Sequence, residues 1–148
     1  MAQFRPATAA DVPAVVALLS DDILGRTREQ KEEAAYLAAF RAMQADGNNH
    51  LVVGEAGGRI IATYQITFIS GLSHKAARRA QVESVRVASD LRGKGIGAAL
   101  MADAEARARA AGCTLMQLTT NRARADAHRF YERLGFTPSH IGYKRDLS

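Results

Sequence analysis

The stretch Arg92-Gly93-Lys94-Gly95-Ile96-Gly97 connects an apolar run typical of a β-strand, Val82 to Val87, to an alanine-rich amphipathic segment typical of a helix, Ile96 to Ala111. The amides of a helix's first turn lack intrahelical partners and lie at the positive end of the macrodipole, so they welcome an anion. Glycines at alternate positions leave no Cβ in the way of a pyrophosphate and can adopt positive φ. Arg92 and Lys94 add positive charge. The stretch therefore predicts a phosphate site between a strand and a helix.

Two better-known phosphate loops do not fit this spacing. The nucleoside triphosphate loop ends in Gly-Lys and then Ser or Thr, whereas Ala98 follows Gly97 here and no lysine follows the last glycine. The dinucleotide fingerprint needs enough following chain for a doubly wound sheet, with an acidic residue after the next strand. Only Ala98 to Ser148 remain, and the next apolar run, Leu115 to Thr119, leads to Asn121. Both loops are therefore excluded.

A second motif lies near the C-terminus. Residues 127–136 read Ala-His-Arg-Phe-Tyr-Glu-Arg-Leu-Gly-Phe. Together with the Arg-x-x-Gly-x-Gly loop after a strand, this run resembles the GNAT superfamily of N-acetyltransferases. In that family the loop binds the pyrophosphate of acyl-CoA, and an alanine precedes a late Phe-Tyr-Glu-x-Leu-Gly-Phe run. The resemblance covers Glu83 to Phe136 closely and the first half of the chain by element order.

Hydrophobic periodicity and turn residues place the other elements. Gly57-Gly58 between two β-rich runs is typical of a hairpin, and Thr8 with Asp11 three residues later is typical of a capping box. Gly112 is expected to end the helix after the glycine loop. The expected strands are Phe4 to Arg5, His50 to Glu55, Arg59 to Phe68, Val82 to Val87, Leu115 to Thr119 and Ile141 to Leu147. The expected helices are Val15 to Leu19, Arg28 to Ala45, Ile96 to Ala111 and Ala125 to Leu134, with a loop at Ser70 to Ala80.

This order of elements predicts one domain, residues 1–148, of the α/β (α+β) class. We expect a mixed central sheet of about six or seven strands with helices on both faces. The order matches the GNAT fold, and the resemblance implies that the strand carrying Val85 and Val87 splays from the strand Leu115 to Thr119. Backbone groups of Val85 and Val87, with Arg86 between them, are then free for the pantetheine arm of the cofactor.

Glu83 is the candidate for the general base of acetyl transfer to an amine. It stands on the strand that enters the glycine loop, where many GNAT sequences carry an acid. It shares parity with Val85 and Val87, so we expect the three side chains on one face of the sheet, overlooking the cleft. The alternative is a structural ion pair between Glu83 and Arg86 or Arg79.

The resemblance also implies a proton donor and cofactor contacts on the late helix. Tyr131 occupies the family's tyrosine position, which implies proton donation to the departing thiolate, whereas helical spacing alone favours a core aromatic. Many family members have an asparagine seven residues before the tyrosine, where this chain has Arg124, and Asn121 is a candidate substitute. The expected cofactor contacts are Val85, Arg86, Val87, Arg92, Gly93, Lys94, Gly95, Ile96, Gly97, Asn121, Arg124 and His128.

Amino-acid composition limits the other functional classes to which the protein could belong. Twenty basic against fifteen acidic residues give a net charge of +5, which suits a phosphate-rich cofactor. Aromatic residues make up only 6% and no basic stripe carries them, which argues against binding of single-stranded nucleic acid. Cys113 is the only cysteine and the four histidines are scattered, so we expect no disulfide and no metal site. Met1 to Asp11 resembles neither a signal peptide nor a membrane span, and we expect a cytoplasmic protein.

These observations predict an acetyl-CoA-dependent N-acetyltransferase. The resemblance implies direct attack by a primary amine of a small molecule or protein, in a ternary complex. The alternative is a non-catalytic acyl-CoA-binding or regulatory module of the same fold, with nucleic-acid binding below both. The C-terminal strands suggest a homodimer. Acidic residues of the first helices hint at a cationic acceptor, although a solvated helix face is the simpler explanation; they are Asp21, Asp22, Glu29, Glu32 and Glu33.

Overall fold

The computed structural model describes residues 1–20 and 33–148. By its internal contacts the chain divides into two compact units, Met1–Gln117 and Leu118–Ser148. The acidic residues at positions 21, 22, 29 and 32, and the first part of the helix expected from Arg28, lie outside the described residues.

A mixed sheet of five strands forms the frame of the first unit, with the strands in chain order from β1 to β5. Neighbours from β1 to β4 are antiparallel. β4 and β5 are joined through a long helix, which is the connection that parallel neighbours need. The strands are β1 (Gln3–Pro6), β2 (Asn49–Ala56), β3 (Arg59–Ile69), β4 (Arg79–Val87) and β5 (Leu115–Leu118).

Helices flank this sheet, and the hydrophobic core lies between the helices and the strands. On α2 the expected apolar stripe is confirmed, because Tyr36, Leu37, Phe40 and Met43 are the less exposed positions and Phe40 is buried. The largest fully buried side chains are Val52, Val53, Thr63, Tyr64, Ile66, Val82 and Leu100. The helices of this unit are α1 (Val12–Leu19), α2 (Glu33–Asp46) and α3 (Ile96–Ala110), and the second unit contains α4 (Ala125–Arg133).

The predicted hairpin and helix end are confirmed by backbone geometry. β2 and β3 join at Gly57 and Gly58, whose φ values of +57° and +79° are the positive pair that a type I′ turn needs. Gly112 follows α3 with φ +81°, and the Cys113 amide donates 2.9 Å to the Ala108 carbonyl. That bond is the long one of a Schellman cap, and it ends the helix where the sequence predicted.

The N-terminal strand is held by a charged cluster at the start of α1. Asp11 caps the turn as predicted, since its Oδ2 accepts the Thr8 amide at 2.8 Å and the Thr8 hydroxyl at 3.1 Å. Arg5 donates to both Asp11 oxygens at 2.7 and 3.0 Å, and to Glu55 Oε1 at 2.7 Å. The Arg5 hydrogen bonds lower the pKa of buried Asp11 to about 2, and those with Asp11 and Glu55 raise the pKa of Arg5. One arginine thereby ties β1 to β2 and to the capping turn.

The second unit is built around α4, whose C-terminal cap explains the Leu-Gly-Phe part of the late motif. Gly135 has φ +93°, and its amide donates 3.0 Å to the Glu132 carbonyl. The Phe136 amide donates 3.0 Å to the Tyr131 carbonyl, and the two rings meet edge to face with centroids 5.9 Å apart. These are both bonds and the hydrophobic contact of a Schellman motif. The motif thus fixes Tyr131 from its own backbone and ring.

Three expectations about the fold need correction. The sheet has five strands, not six or seven, because Ile141 to Leu147 is not a strand. A strand needs a neighbouring strand, and the alternating apolar side chains of this segment are exposed instead, Ile141 by 67%, Tyr143 by 90% and Leu147 by 92%. β5 is not a buried strand, since it is at the sheet edge and Leu115 is 39% exposed. Within the expected loop, Ser73–Ala76 forms a short turn and β4 begins early, at Arg79.

Candidate functional site

The glycine loop has an open backbone at the start of α3. Gly93 and Gly95 have φ +78° and +81°, which side-chain-bearing residues rarely adopt. A Cβ added at either position meets nothing within 4 Å, so the space beside this backbone is open. Gly95 is the N-cap of the helix, which places the unpartnered amides of the first turn directly after it. This geometry leaves space for a pyrophosphate, and its binding at the loop stays a prediction.

An ion pair at the entrance of the loop removes an unfavourable charge. Asp90 lies two residues before Arg92, where its carboxylate opposes the binding of phosphate. Arg59 holds it with two parallel hydrogen bonds of 3.0 and 2.9 Å. These bonds lower the pKa of Asp90 and raise that of Arg59. The pair neutralises the carboxylate and joins the loop to the first residue of β3, a contact that sequence reasoning missed.

A β-bulge at Ser84 corrects the predicted facing of Glu83. Ser84 has φ +54°, and the pairing of β4 with β3 shifts there by one residue. Before the shift Glu83 lies opposite Gln65, and after it Arg86 lies opposite Thr63. Since Gln65 and Thr63 are two residues apart on β3 and share a face, Glu83 and Arg86 share that face too. The expected common parity of Glu83 and Val87 is therefore wrong: Val87 lies opposite Ala62, on the other face.

Glu83 and Arg86 are charges without an ionic partner in the part of the chain described. Glu83 is exposed and makes no hydrogen bond or ion pair with any described residue, so the alternative pairing with Arg86 or Arg79 does not occur. Arg86 is half-buried, and its guanidinium donates 3.0 Å to the carbonyl of its own neighbour, Val85. Both side chains remain able to engage a ligand.

Tyr131 is a half-buried residue of the aromatic face of α4. Its ring lies edge-on to Phe130 at 5.1 Å and to Phe136 at 5.9 Å between centroids. Both the core-aromatic interpretation and the proton-donor interpretation agree with this packing. The position of the hydroxyl in the reaction stays a prediction.

The loop before α4 brings together three of the predicted cofactor contacts, Asn121, Arg124 and His128. The Asn121 side-chain oxygen accepts the Ala123 amide at 2.9 Å, and its backbone carbonyl accepts the Arg124 amide at 3.0 Å. His128 Nε2 lies 3.0 Å from the same carbonyl; since a carbonyl only accepts, Nε2 carries the proton. Asn121 therefore shapes the turn into α4, while the Arg124 side chain is exposed. Their cofactor contacts remain predictions.

Residues 1–20 and 33–148 contain no group of three or more His, Cys, Asp or Glu side chains placed to hold a metal ion. None of the helices in this part of the chain is long and apolar enough to cross a membrane.

Comparison with known proteins agrees with this geometry. Residues 15–136 match the sequence model of the Acetyltransferase (GNAT) family. The chain is 32% identical over 145 residues to the aminoalkylphosphonate N-acetyltransferase of Salmonella typhimurium, covering 98% of this chain and 91% of the relative. It is 30% identical over 139 residues to the L-methionine sulfoximine/L-methionine sulfone acetyltransferase of Pseudomonas paraeruginosa, covering 91% of this chain and 80% of that one.

The fold has a similar counterpart among solved structures. The crystal structure of a transcriptional regulator from Bacillus halodurans C-125 superposes with a TM-score of 0.92. The two sequences are 43% identical, and the match covers 99% of this chain and all of the other.

Proposed function

Because the chain belongs to the GNAT family of acetyltransferases and is an acyltransferase, we propose that it transfers the acetyl group of acetyl-CoA to a primary amine of a small molecule. The observation that carries the proposal is the open glycine backbone at Gly93 and Gly95, which leads into the N-terminus of α3. The two curated relatives are named for small amines, which favours a small acceptor over a protein.

We assign the cofactor's phosphates to the loop from Arg92 to Gly97. A Cβ added at Gly93 or Gly95 would meet nothing within 4 Å, so the loop backbone is accessible, and Lys94 supplies a positive charge. Backbone groups of Val85, Arg86 and Val87 are assigned to the pantetheine arm, and residues Asn121, Arg124 and His128 to secondary contacts. These assignments rest on the family resemblance together with the exposed position of each loop residue from Arg92 to Gly95.

Glu83 is proposed as the general base. A free alkylamine has a pKa near that of lysine, about 10.4, so presenting it neutral at pH 7 costs about 4.6 kcal/mol. The exposed Glu83 carboxylate, which has no ionic partner in residues 1–20 and 33–148, can accept that proton directly or through water. Glu83→Gln is therefore expected to reduce turnover most at low pH; parallel pH profiles for the variant and the wild type would remove Glu83 from this role.

Tyr131 is proposed as the acid. The amine nitrogen forms a bond to the thioester carbonyl carbon, the C–S bond breaks, and the leaving sulfur takes the phenolic proton to give the free thiol. Acetyl transfer is thus direct, with no acyl-enzyme. Glu83 accepts the ammonium proton before attack and releases it to solvent, and the second proton, which nitrogen loses as the amide forms, returns the Tyr131 phenolate to its neutral form.

The test is acetyl transfer across a panel of small primary amines and one lysine peptide. Release of the free thiol of coenzyme A, together with the mass of the acetylated product, measures the reaction. We expect acetylation of small amines and little of the peptide. A protein that binds acetyl-CoA but acetylates no amine would instead be a non-catalytic acyl-CoA-binding module.

The homodimer is a separate proposal, supported by the C-terminal segment. Ile141, Tyr143 and Leu147 expose most of their apolar surface, and residues 137–148 show no helix, turn or strand. Exposed alternating apolar residues favour pairing with a second copy. Light scattering in solution should give twice the chain mass of 15.9 kDa, and a variant with serine at the three positions should be monomeric. A monomeric wild type would refute the homodimer.

A further inference from the structure

The polar face of the sheet around Glu83 and Arg86 has two features that the general reaction does not explain. The neighbouring polar side chains on this face satisfy one another. Gln65 donates 2.9 Å to Asn49 Oδ1 although Gln65 lies directly opposite Glu83, and Gln117 donates 2.7 Å to Gln81. The amides are thus paired among themselves, and the Glu83 carboxylate has no hydrogen-bond or ion-pair partner among the described residues.

Arg86 provides a positive charge on the same face as the negative charge of Glu83. It is half-buried, which removes part of its hydration, yet within the described residues its guanidinium donates only to a neutral backbone carbonyl. Thr63, the residue opposite, is fully buried and donates its hydroxyl to the Val52 carbonyl at 2.9 Å. A partly desolvated guanidinium with no anion beside it in the described chain is suited to a carboxylate or phosphonate, which it can bind with two parallel hydrogen bonds.

The bulge sets the spacing between the two charges. Glu83 and Arg86 face β3 residues that are one two-residue repeat apart, about 6.6 Å. In a regular strand without the bulge, Arg86, three residues after Glu83, would lie on the opposite face. The two side chains form no ion pair with each other, so neither neutralises the other. The spacing suits a short molecule that carries an amine and an anion a few bonds apart.

We propose that Glu83 and Arg86 form the acceptor site for a small zwitterion, with its ammonium at Glu83 and its anionic group at Arg86. This inference rests on the proposed acetyl transfer, and it deepens it by naming the class of acceptor: a short amino acid in the broad sense, bearing a carboxylate or phosphonate. Arg86 sets specificity, because an amine without an anion leaves the guanidinium partly desolvated and unpaired.

The experiment compares kcat/KM for four amines of similar size: 2-aminoethylphosphonate, 3-aminopropanoate, ethanolamine, which carries an uncharged hydroxyl in place of the anion, and the diamine 1,2-diaminoethane. The wild type should prefer the two anionic amines. Arg86→Gln, which removes the charge and keeps an uncharged hydrogen-bond donor, should lower kcat/KM for them by roughly 10- to 100-fold, the range of one charge-assisted contact, and change kcat/KM for ethanolamine less than about twofold. Arg86→Lys should recover part of the loss, and the ratio of the phosphonate to the carboxylate distinguishes the two anions.

Arg79→Gln is the matched control, since it removes the same charge from the same strand and, by register, from the same face at its far end. It should leave the preference unchanged. Equal kcat/KM for ethanolamine and the anionic amines in the wild type would overturn the zwitterion site while leaving acetyl transfer intact. An equal loss on all four amines in Arg86→Gln would also overturn it, and acetylation of no amine at all would overturn both proposals. The thermal midpoint and acetyl-CoA affinity of each variant show whether it is folded.

Discussion

The hydroxyl of Tyr64, in the middle of β3, donates a 2.5 Å hydrogen bond to the carboxylate of Asp103 on α3. Tyr64 is fully buried, and burial together with the bond to Asp103 raises its pKa, so the hydroxyl keeps its proton. Arg107 joins the cluster with a 2.7 Å bond to Asp103 and a 3.3 Å bond to the Phe4 carbonyl. The helix that begins at the glycine loop is thereby fixed to two strands of the sheet.

Tyr64→Phe should therefore destabilise the protein. The variant removes a buried hydrogen bond to a charged group, which contributes about 1.5–3 kcal/mol to the free energy of unfolding. Urea denaturation measures the loss. Tyr143→Phe makes the same chemical change at a side chain that is 90% exposed, and it should be neutral. Equal stability of the two variants would contradict the anchoring role of Tyr64.

Arg59→Ala should weaken acetyl-CoA binding a few-fold at low salt. The variant leaves Asp90 as an uncompensated negative charge at the entrance of the phosphate loop. The effect should fade as ionic strength rises, because the pair is exposed. Titration calorimetry of the wild type, Arg59→Ala, Asp90→Ala and the double variant forms a double-mutant cycle for acetyl-CoA affinity. The double variant should bind acetyl-CoA as tightly as the wild type. If it is instead as weak as Arg59→Ala alone, Arg59 acts on the phosphates itself.

Stability should fall in acid through the titration of Asp11. Its pKa is about 2 in the folded protein, whereas its usual value, which applies in the unfolded chain, is 3.8. Folding therefore favours the ionised carboxylate. The contribution, up to about 2 kcal/mol, is fully present above about pH 4 and is lost as the pH falls toward 2. Asp11→Asn should be less stable than the wild type at pH 6, with the difference shrinking toward pH 2. A difference independent of pH in urea denaturation curves would contradict this assignment.

Tyr131→Phe should lower kcat by about 100-fold or more while leaving acetyl-CoA affinity nearly unchanged, because a general acid acts in the transition state rather than in cofactor binding. The ring contacts with Phe130 and Phe136 are kept, so the fold of the second unit should persist. Steady-state kinetics with Tyr143→Phe as a control measures the effect. Unchanged kcat would assign Tyr131 to packing alone.

Local backbone signals in the sequence predicted much of the structure. Glycines at positions 57, 58, 93, 95, 112 and 135 all adopt positive φ, so the hairpin turn, the phosphate loop and two helix ends follow from residue type. The helix around Tyr131 was placed correctly because its Leu-Gly-Phe cap is also local.

Long-range features could not be predicted in the same way. The bulge at Ser84 has no sequence signal, because serine rarely adopts φ +54° and only the pairing with β3 reveals the extra residue. It reverses the facing of every later residue of β4, which is why the parity of Glu83 with Val87 was wrong. The apolar residues Ile141, Tyr143 and Leu147 favoured a strand, and that prediction was wrong. A strand also needs a partner strand, which an alternating pattern does not supply.

The central claim, that acetyl-CoA binds at the glycine loop, is tested most directly by a thermal-shift titration of the wild type, Gly95→Glu and Gly47→Glu. Both glycines have similar positive φ, +81° and +74°, and open space at the Cβ, so the two variants share backbone strain and added charge. Wild type and Gly47→Glu should be stabilised saturably, by about 2.7 kcal/mol at a hundredfold excess over Kd, and folded Gly95→Glu should show no shift. Equal shifts in all three proteins, or none in the folded wild type, would contradict the claim.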